Sequence, residues 1–253
     1  MWDPAKYLDY GDLRARPFFE LVARISAGEP RRVVDLGCGP GNLTGTLARR
    51  WPQATLEAID SSADMVAAAR EAGVPARVAD VREWSPGRDT DVVVSNAVLQ
   101  WVPEHRHLLR RWVGELPAGA WLAMQVPGNM DAPSHTLTRR LAASPGWAPR
   151  LAGAVLREDD VGTPQEYAEL LADLGCQVNA WETTYVQRLT GSQAVLEWLT
   201  GTALRPVKAA LDAGEWEAFR EQLAPLLDKA YPPRPDGTTW FPFRRVFAVA
   251  RVP

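Results

Sequence analysis

The sequence predicts a doubly wound α/β fold: a mostly parallel sheet with helices on both faces, an antiparallel edge strand and helical insertions late in the chain. Three observations carry this. Short apolar, β-branched runs alternate with amphipathic stretches through residues 32–126. A glycine-rich turn within VVDLGCGPGN (33–42) joins the first such run to the next helix. Two long alternating runs near the end flank a helix-rich stretch. Strands alternating with helices at this spacing build βαβ units and a parallel sheet, and right-handed crossovers place helices on both faces.

The elements follow in order. Leu13 to Ile25 reads as a helix with Pro17 in an early turn, and Arg32–Leu36 as a buried strand. Asn42 to Trp51 reads as a helix with Leu43 and Leu47 on one face. Thr55–Ile59 is a strand closed by Asp60, after which Ser61 or Ser62 caps a helix over Ala63–Ala72 that stops at Gly73. Ala76–Ala79 is a short strand ending at Asp80, Asp91–Ser95 a fourth and Trp121–Val126 a fifth, with a helix from His105 to Leu116 between the last two. Residues 127–162 hold several Pro and Gly and no strong strand signal. Thr163 then caps a helix that stops at Gly175. Cys176–Leu189 reads as a long strand, 190–240 as helical, and Phe243–Val252 as a closing strand, so the late pair forms a hairpin-like edge carrying a lid. The expected organisation is a single domain over 1–253. Within it, 1–28 form a lid and helix, 29–126 a ligand-binding half, and 127–162 and 190–240 substrate or lid insertions.

Composition narrows the function. A chain of 253 residues, 46% hydrophobic, can bury one substantial core. Its formal net charge of −3, with basic pairs scattered among acids, disfavours a nucleic-acid surface. Two cysteines and three histidines show no zinc spacing and no disulfide framework, so no metal is expected. The polar, acidic start is unlike a secretory signal and no apolar run is long enough to span a membrane. The expectation is a soluble cytoplasmic protein with no membrane and no obligate protein partner. Most of its eleven tryptophans pack the core.

The glycine turn has look-alikes. A P-loop needs a Lys after its last glycine, and none follows Gly41. The dinucleotide fingerprint places its third glycine where this chain has Asn42; the glycine comes one position early. Asp35, two residues before Gly37, would repel a pyrophosphate and attract an ammonium or sulfonium. S-adenosylmethionine carries both cations and no phosphate. Gly37, Gly39 and Gly41 let backbone approach a ligand, N–H groups at the start of the Asn42 helix can bind a carboxylate, and Asp35 can serve the amino group. Asp60 and Asp80, each ending a strand, can accept from ribose hydroxyls and from an adenine amino group, with Val81 donating its N–H. Asn96 follows the fourth strand, where the transferred group would lie.

With these motifs in view (VVDLGCGPGN, AIDSSADM, ARVADV, VSNAVLQW) the chain resembles class I S-adenosylmethionine-dependent methyltransferases, which implies a Rossmann-like fold and places Cys38, Asn42, Ser61 and Met65 at the cofactor as well. Further segments (WDPAKYLDYGDLRARP, LLADLGCQVNAWETTYVQRL, WLTGTALRP, FPFRRVFAVA) are similar to the trans-aconitate 2-methyltransferase family and span nearly the whole chain. The resemblance implies transfer of a methyl group to a carboxylate of a small tricarboxylate, leaving S-adenosylhomocysteine. A carboxylate is already ionised at neutral pH and needs no general base, so no acid–base catalytic residue is expected; Asn96, Gln100 and Trp101 are the nearest candidates to the reacting atoms. Arginine forks suit the remaining carboxylates: Arg205 first, then Arg244 or Arg245, with Tyr185, His135 and Trp101 completing the wall. Tyr7 and Tyr10 are expected to fold over the cofactor. The rivals are another free acid or malonyl-acyl carrier protein as acceptor, or a non-catalytic cofactor-binding regulator.

Overall fold

The computed structural model describes residues 11–155 and 161–253, without the side chains of 11–14. It contains one seven-stranded sheet in the order β3-β2-β1-β4-β5-β7-β6. The strands are β1 (Arg32–Leu36), β2 (Thr55–Asp60), β3 (Ala76–Val78), β4 (Thr90–Asn96), β5 (Trp121–Pro127), β6 (Gln177–Thr190) and β7 (Thr238–Arg251). The helices are α1 (Gly11–Val22), α2 (Thr44–Arg50), α3 (Ala63–Glu71), α4 (His105–Glu115), α5 (Pro133–Ala142), α6 (Ala148–Leu151), α7 (Pro164–Ala172), α8 (Ala194–Thr200), α9 (Arg205–Ala210) and α10 (Ala213–Ala230). β1 lies parallel to β2 and β4, β2 to β3, and β4 to β5. β7 runs against β5: Gly119 and Val252 pair at one end, Gly128 and Arg244 at the other. The mostly parallel doubly wound sheet with an antiparallel strand is therefore present.

The central strands are apolar on both faces because both are covered. Val33, Val34 and Leu36 of β1 and Val92, Val93 and Val94 of β4 are all buried, the pattern of a parallel sheet between helical layers. α3 packs on β2 and β3. Ser62, not Ser61, caps it, accepting from the Met65 N–H.

Contacts divide the chain into two compact units. One comprises the chain up to Val126 with Gly162–Glu182 and Val246–Pro253, the other Pro127–Val161 with Thr183–Arg245. The second unit has its own aromatic core, in which Trp198, Phe219 and Phe241 are fully buried and Trp198 meets Phe241 and Phe243 edge-on. α10 starts from a capping box between Asp212 and Glu215, runs through Pro225, and packs against α5 and α8.

Several expectations need correction. The helix expected from Asn42 begins at Thr44, because Gly41 holds a left-handed φ of 78° and the chain is still turning. Residues 127–162, where no strong strand was expected, hold α5, which begins with Pro133 at its first position, where a missing N–H costs nothing. β7 begins at Thr238, ahead of Pro242.

Candidate functional site

Parallel register brings the strand ends to one edge in the first unit. Leu36 pairs with Ile59 on one side and Ser95 on the other, Asp60 with Val78, and Asn96 with Gln125. The glycine turn leaves β1 at this edge and hooks onto β2, with Gly37 N–H and Cys38 N–H both donating to Ile59 O at 2.8 and 2.9 Å. Gly39 N–H donates to Asp60 Oδ2 at 2.9 Å, and the other oxygen of Asp60 accepts from Ser62 N–H at 2.9 Å. One carboxylate thus ties the turn to the start of α3 and retains lone pairs for a ligand.

Two glycines show why no side chain is allowed. A Cβ on Gly37 would overlap the Val98 side chain. A Cβ on Gly41 would lie 3.0 Å from the Ala69 backbone of α3 and from Val74. The close packing that the dinucleotide fingerprint assigns to its third glycine is supplied here one residue earlier.

Asp35 is 3% exposed and its Oδ2 accepts from Thr44 Oγ1 at 2.7 Å. Burial pushes its carboxyl from 3.8 up to about 6; the Thr44 hydroxyl opposes this and the Asp60 charge adds to it. Burial, reinforced by Asp35 and Asp60, also drives the Cys38 thiol upward, leaving it inert. A site with two close carboxylates, one of them poorly solvated, favours a cationic ligand group over a phosphate.

The turn after β4 closes the edge. Ala97 has φ 59°, a left-handed conformation that costs a non-glycine residue on the order of 1 kcal/mol. It is held on both sides: its N–H donates to Gln125 O at 2.9 Å, and its carbonyl accepts from Gln100 Nε2 at 2.8 Å. Ser95 Oγ, Asn96 Oδ1 and Gln100 Oε1 are buried without a hydrogen-bond partner among the described residues. Trp101 ends the following short 3-10 turn and is partly exposed. Behind it His105 is buried, with Nδ1 2.9 Å from Val102 O and Nε2 2.9 Å from Tyr167 Oη, which accepts from Gly162 N–H.

The other expected cofactor residues are more scattered in character. Asp80 accepts from Arg82, through the N–H at 2.9 Å and through Nη1 at 2.9 Å. Val81 is buried, Met65 is fully buried and Ser61 is exposed. Asn42 is exposed in the turn before α2. Tyr7 and Tyr10 lie outside the described residues.

The second unit holds the remaining candidates. Arg205 is half-buried and opens α9 instead of ending a helix. Arg244 is committed to the chain: Nη2 donates to Asp131 Oδ1 at 2.7 Å, Nε to Gly128 O, and its backbone N–H to Asn129 Oδ1 at 2.7 Å. It clasps the 128–131 turn. Arg245 is buried, with its guanidinium 4.6 Å from the centre of the Phe243 ring. Tyr185 is buried on β6. His135 is buried beside Ser134 Oγ, and burial, with the nearby Arg139 cation, brings its imidazole down to about 4, so it is neutral at pH 7. Thr44, the clamp on Ala97 and the His105–Tyr167 pair carry no motif signal; each needs partners brought together only by folding.

The donor set fits S-adenosylmethionine: two carboxylates for its ammonium and hydroxyls, glycines that admit close approach, and buried acceptor oxygens that a cation would satisfy. Among the described residues no cluster of His, Cys, Asp or Glu could hold a metal ion, and no helix is long and apolar enough to cross a membrane.

Comparison with known proteins agrees with this geometry. The family model described as a methyltransferase domain matches residues 10–180. A protein of Rhodococcus jostii named trans-aconitate 2-methyltransferase is 66% identical over 253 residues, covering 100% of both chains. One of Mycobacterium tuberculosis with the same name is 55% identical over 258 residues, covering 100% of this chain and 97% of its own. Among solved structures, the YcgJ protein of Bacillus shares the fold with a TM-score of 0.61 at 13% identity, over 93% of this chain and 97% of its own. Phosphoethanolamine N-methyltransferase 2 of Haemonchus contortus, in complex with S-adenosyl-L-methionine, does so with a TM-score of 0.53 at 16% identity, over 94% of this chain and 52% of its own. The chain belongs to the methyltransferase-domain family, in the group whose curated members are named trans-aconitate 2-methyltransferase.

Proposed function

We propose that the protein is an S-adenosylmethionine-dependent O-methyltransferase that converts trans-aconitate to its monomethyl ester. The observation that carries this reading is full-length identity of 66% to a relative of that name; the buried Asp35 beneath the glycine turn supports the cofactor. When bound, S-adenosylmethionine would supply an electrophilic methyl group for a carboxylate oxygen of the substrate, with S-adenosylhomocysteine as the leaving group.

The chain's own residues bind and orient. Asp35 pairs with the amino group, Asp60 accepts from the ribose hydroxyls, and Asp80 with Val81 receives the adenine. Gly37, Cys38, Gly39, Gly41, Asn42, Ser61 and Met65 line the same run. Asn96, Gln100 and Trp101 border the methyl group. No residue moves a proton, because the acceptor is already an anion; rate comes from holding it in line in a dry site. Arg205 is the cation for a second carboxylate of the substrate. Arg245, Tyr185 and a neutral His135 complete that set, whereas Arg244 serves the Gly128–Asp131 turn. We assign residues 1–28 to a lid, 29–126 to cofactor binding, and 127–162 and 190–240 to the substrate. A cytoplasmic location suits two buried free thiols, and the reading includes no nucleic-acid, membrane or obligate protein partner.

The test is the mass and fragmentation of the product formed from trans-aconitate and the cofactor. A monomethyl ester, absent when malonyl-acyl carrier protein or other free acids replace trans-aconitate, is the expected result. Turnover only on one of those alternatives, or cofactor binding without turnover on any acid, would refute it.

A further inference from the structure

We propose that Gln100 is a positioning residue that locks the turn after β4 onto the glycine turn, so that the cofactor site is already shaped before a ligand arrives. The inference rests on the cofactor reading above. The residue it acts through is Ala97, whose left-handed φ of 59° is disfavoured for a side chain with a Cβ. Such a conformation persists only where its surroundings over-determine it. Here the Ala97 N–H is taken by Gln125 O, and the Ala97 carbonyl by Gln100 Nε2 at 2.8 Å. The orientation of the Gln100 amide follows from chemistry: a carbonyl only accepts, so the nitrogen faces it and Oε1 is left as a buried acceptor without a partner among the described residues.

The next residue explains what the lock achieves. Val98 occupies the space that a side chain at Gly37 would need, so the turn after β4 rests directly on the first glycine of the turn after β1. If Ala97 relaxed to negative φ, the chain direction at Val98 would change and that seat would be lost. The glycine turn would then keep its ties through Ile59 O and Asp60 and its packing on Ala69, but lose this seat.

The test uses Gln100→Glu, nearly isosteric but unable to donate when ionised, together with Ala97→Gly, which accepts the left-handed conformation without strain. Binding of S-adenosylhomocysteine is measured by calorimetry, beside thermal midpoints and kcat. Q100E should weaken binding at least tenfold, A97G alone should bind like the parent, and the double variant should recover to within threefold of the parent. The thermal midpoints show whether each variant is folded before its affinity is read. Parental affinity in Q100E, or a double variant no tighter than Q100E or more than threefold weaker than the parent, would overturn the proposal. Because this ligand needs no methyl acceptor, inactivity of the parent on trans-aconitate would strike the substrate assignment and leave this test standing.

Discussion

Asp35→Asn should make the ligand-free protein more stable while disabling it. Burial raises the Asp35 carboxyl from 3.8 to about 6, so the folded chain holds this proton to a higher pH than the unfolded chain does. Stability from this group is fully present below about 3.8 and is lost as pH rises through about 6. At roughly 1.4 kcal/mol per pH unit, ionised Asp35 costs the ligand-free fold about 3 kcal/mol at pH 8, and about half that at pH 5 where much of the folded population keeps the proton. Asn carries no charge at either pH and its carbonyl oxygen can still accept from Thr44 Oγ1. Urea denaturation of the parent and D35N at the two pH values, without ligand, reads the difference. D35N should be the more stable by about 3 kcal/mol at pH 8, with the gap roughly halved at pH 5. It should also lose most of its affinity for S-adenosylhomocysteine, because the ammonium no longer finds an anion. A gap that does not change with pH, or a D35N protein less stable at pH 8, would refute the claim that a poorly solvated carboxylate is held there for a cation.

Three further outcomes are expected. Asp60→Ala removes the acceptor of the Gly39 and Ser62 N–H groups and should weaken S-adenosylhomocysteine binding at least tenfold by calorimetry; unchanged affinity would end the ribose assignment. Gly41→Ala forces a Cβ against Ala69 and Val74 at a φ of 78° and should cost about 1–3 kcal/mol of stability, seen as a lower denaturation midpoint. Arg205→Ala should raise the KM for trans-aconitate at least tenfold with cofactor affinity intact; an unchanged KM would remove Arg205 from the substrate set.

Most of the sheet was legible because its signal is local. β1 and β4 are runs of consecutive apolar residues, α3 announces itself with Ser62 and Gly73, and α7 with Thr163 and Glu166. The start of β7 was misplaced: it begins at Thr238, before Pro242, whose side chain is exposed. α5 was obscured by the Pro and Gly on either side of it. Asp35, Asp60 and Asn96 were legible as residues at or near strand ends, which parallel topology puts at one edge. Their partners were not. Thr44 lies nine residues from Asp35, and Arg244 reaches Asp131 across 113 positions, so neither pairing leaves a motif. The arginine pair at 244–245 looked uniform, yet one member clasps a turn while the other is buried over an aromatic ring.

The place of β7 in the sheet has a consequence for biogenesis. It is the seventh strand to be made, yet it lies between the fifth and the sixth. During synthesis β5 and β6 emerge with a gap between them that no earlier segment can fill. Until Thr238–Arg251 leaves the ribosome, two open strand margins face outward, and such margins invite pairing with other chains. A late-arriving strand must therefore slot inward, and not simply add to an outer margin, before the sheet is complete.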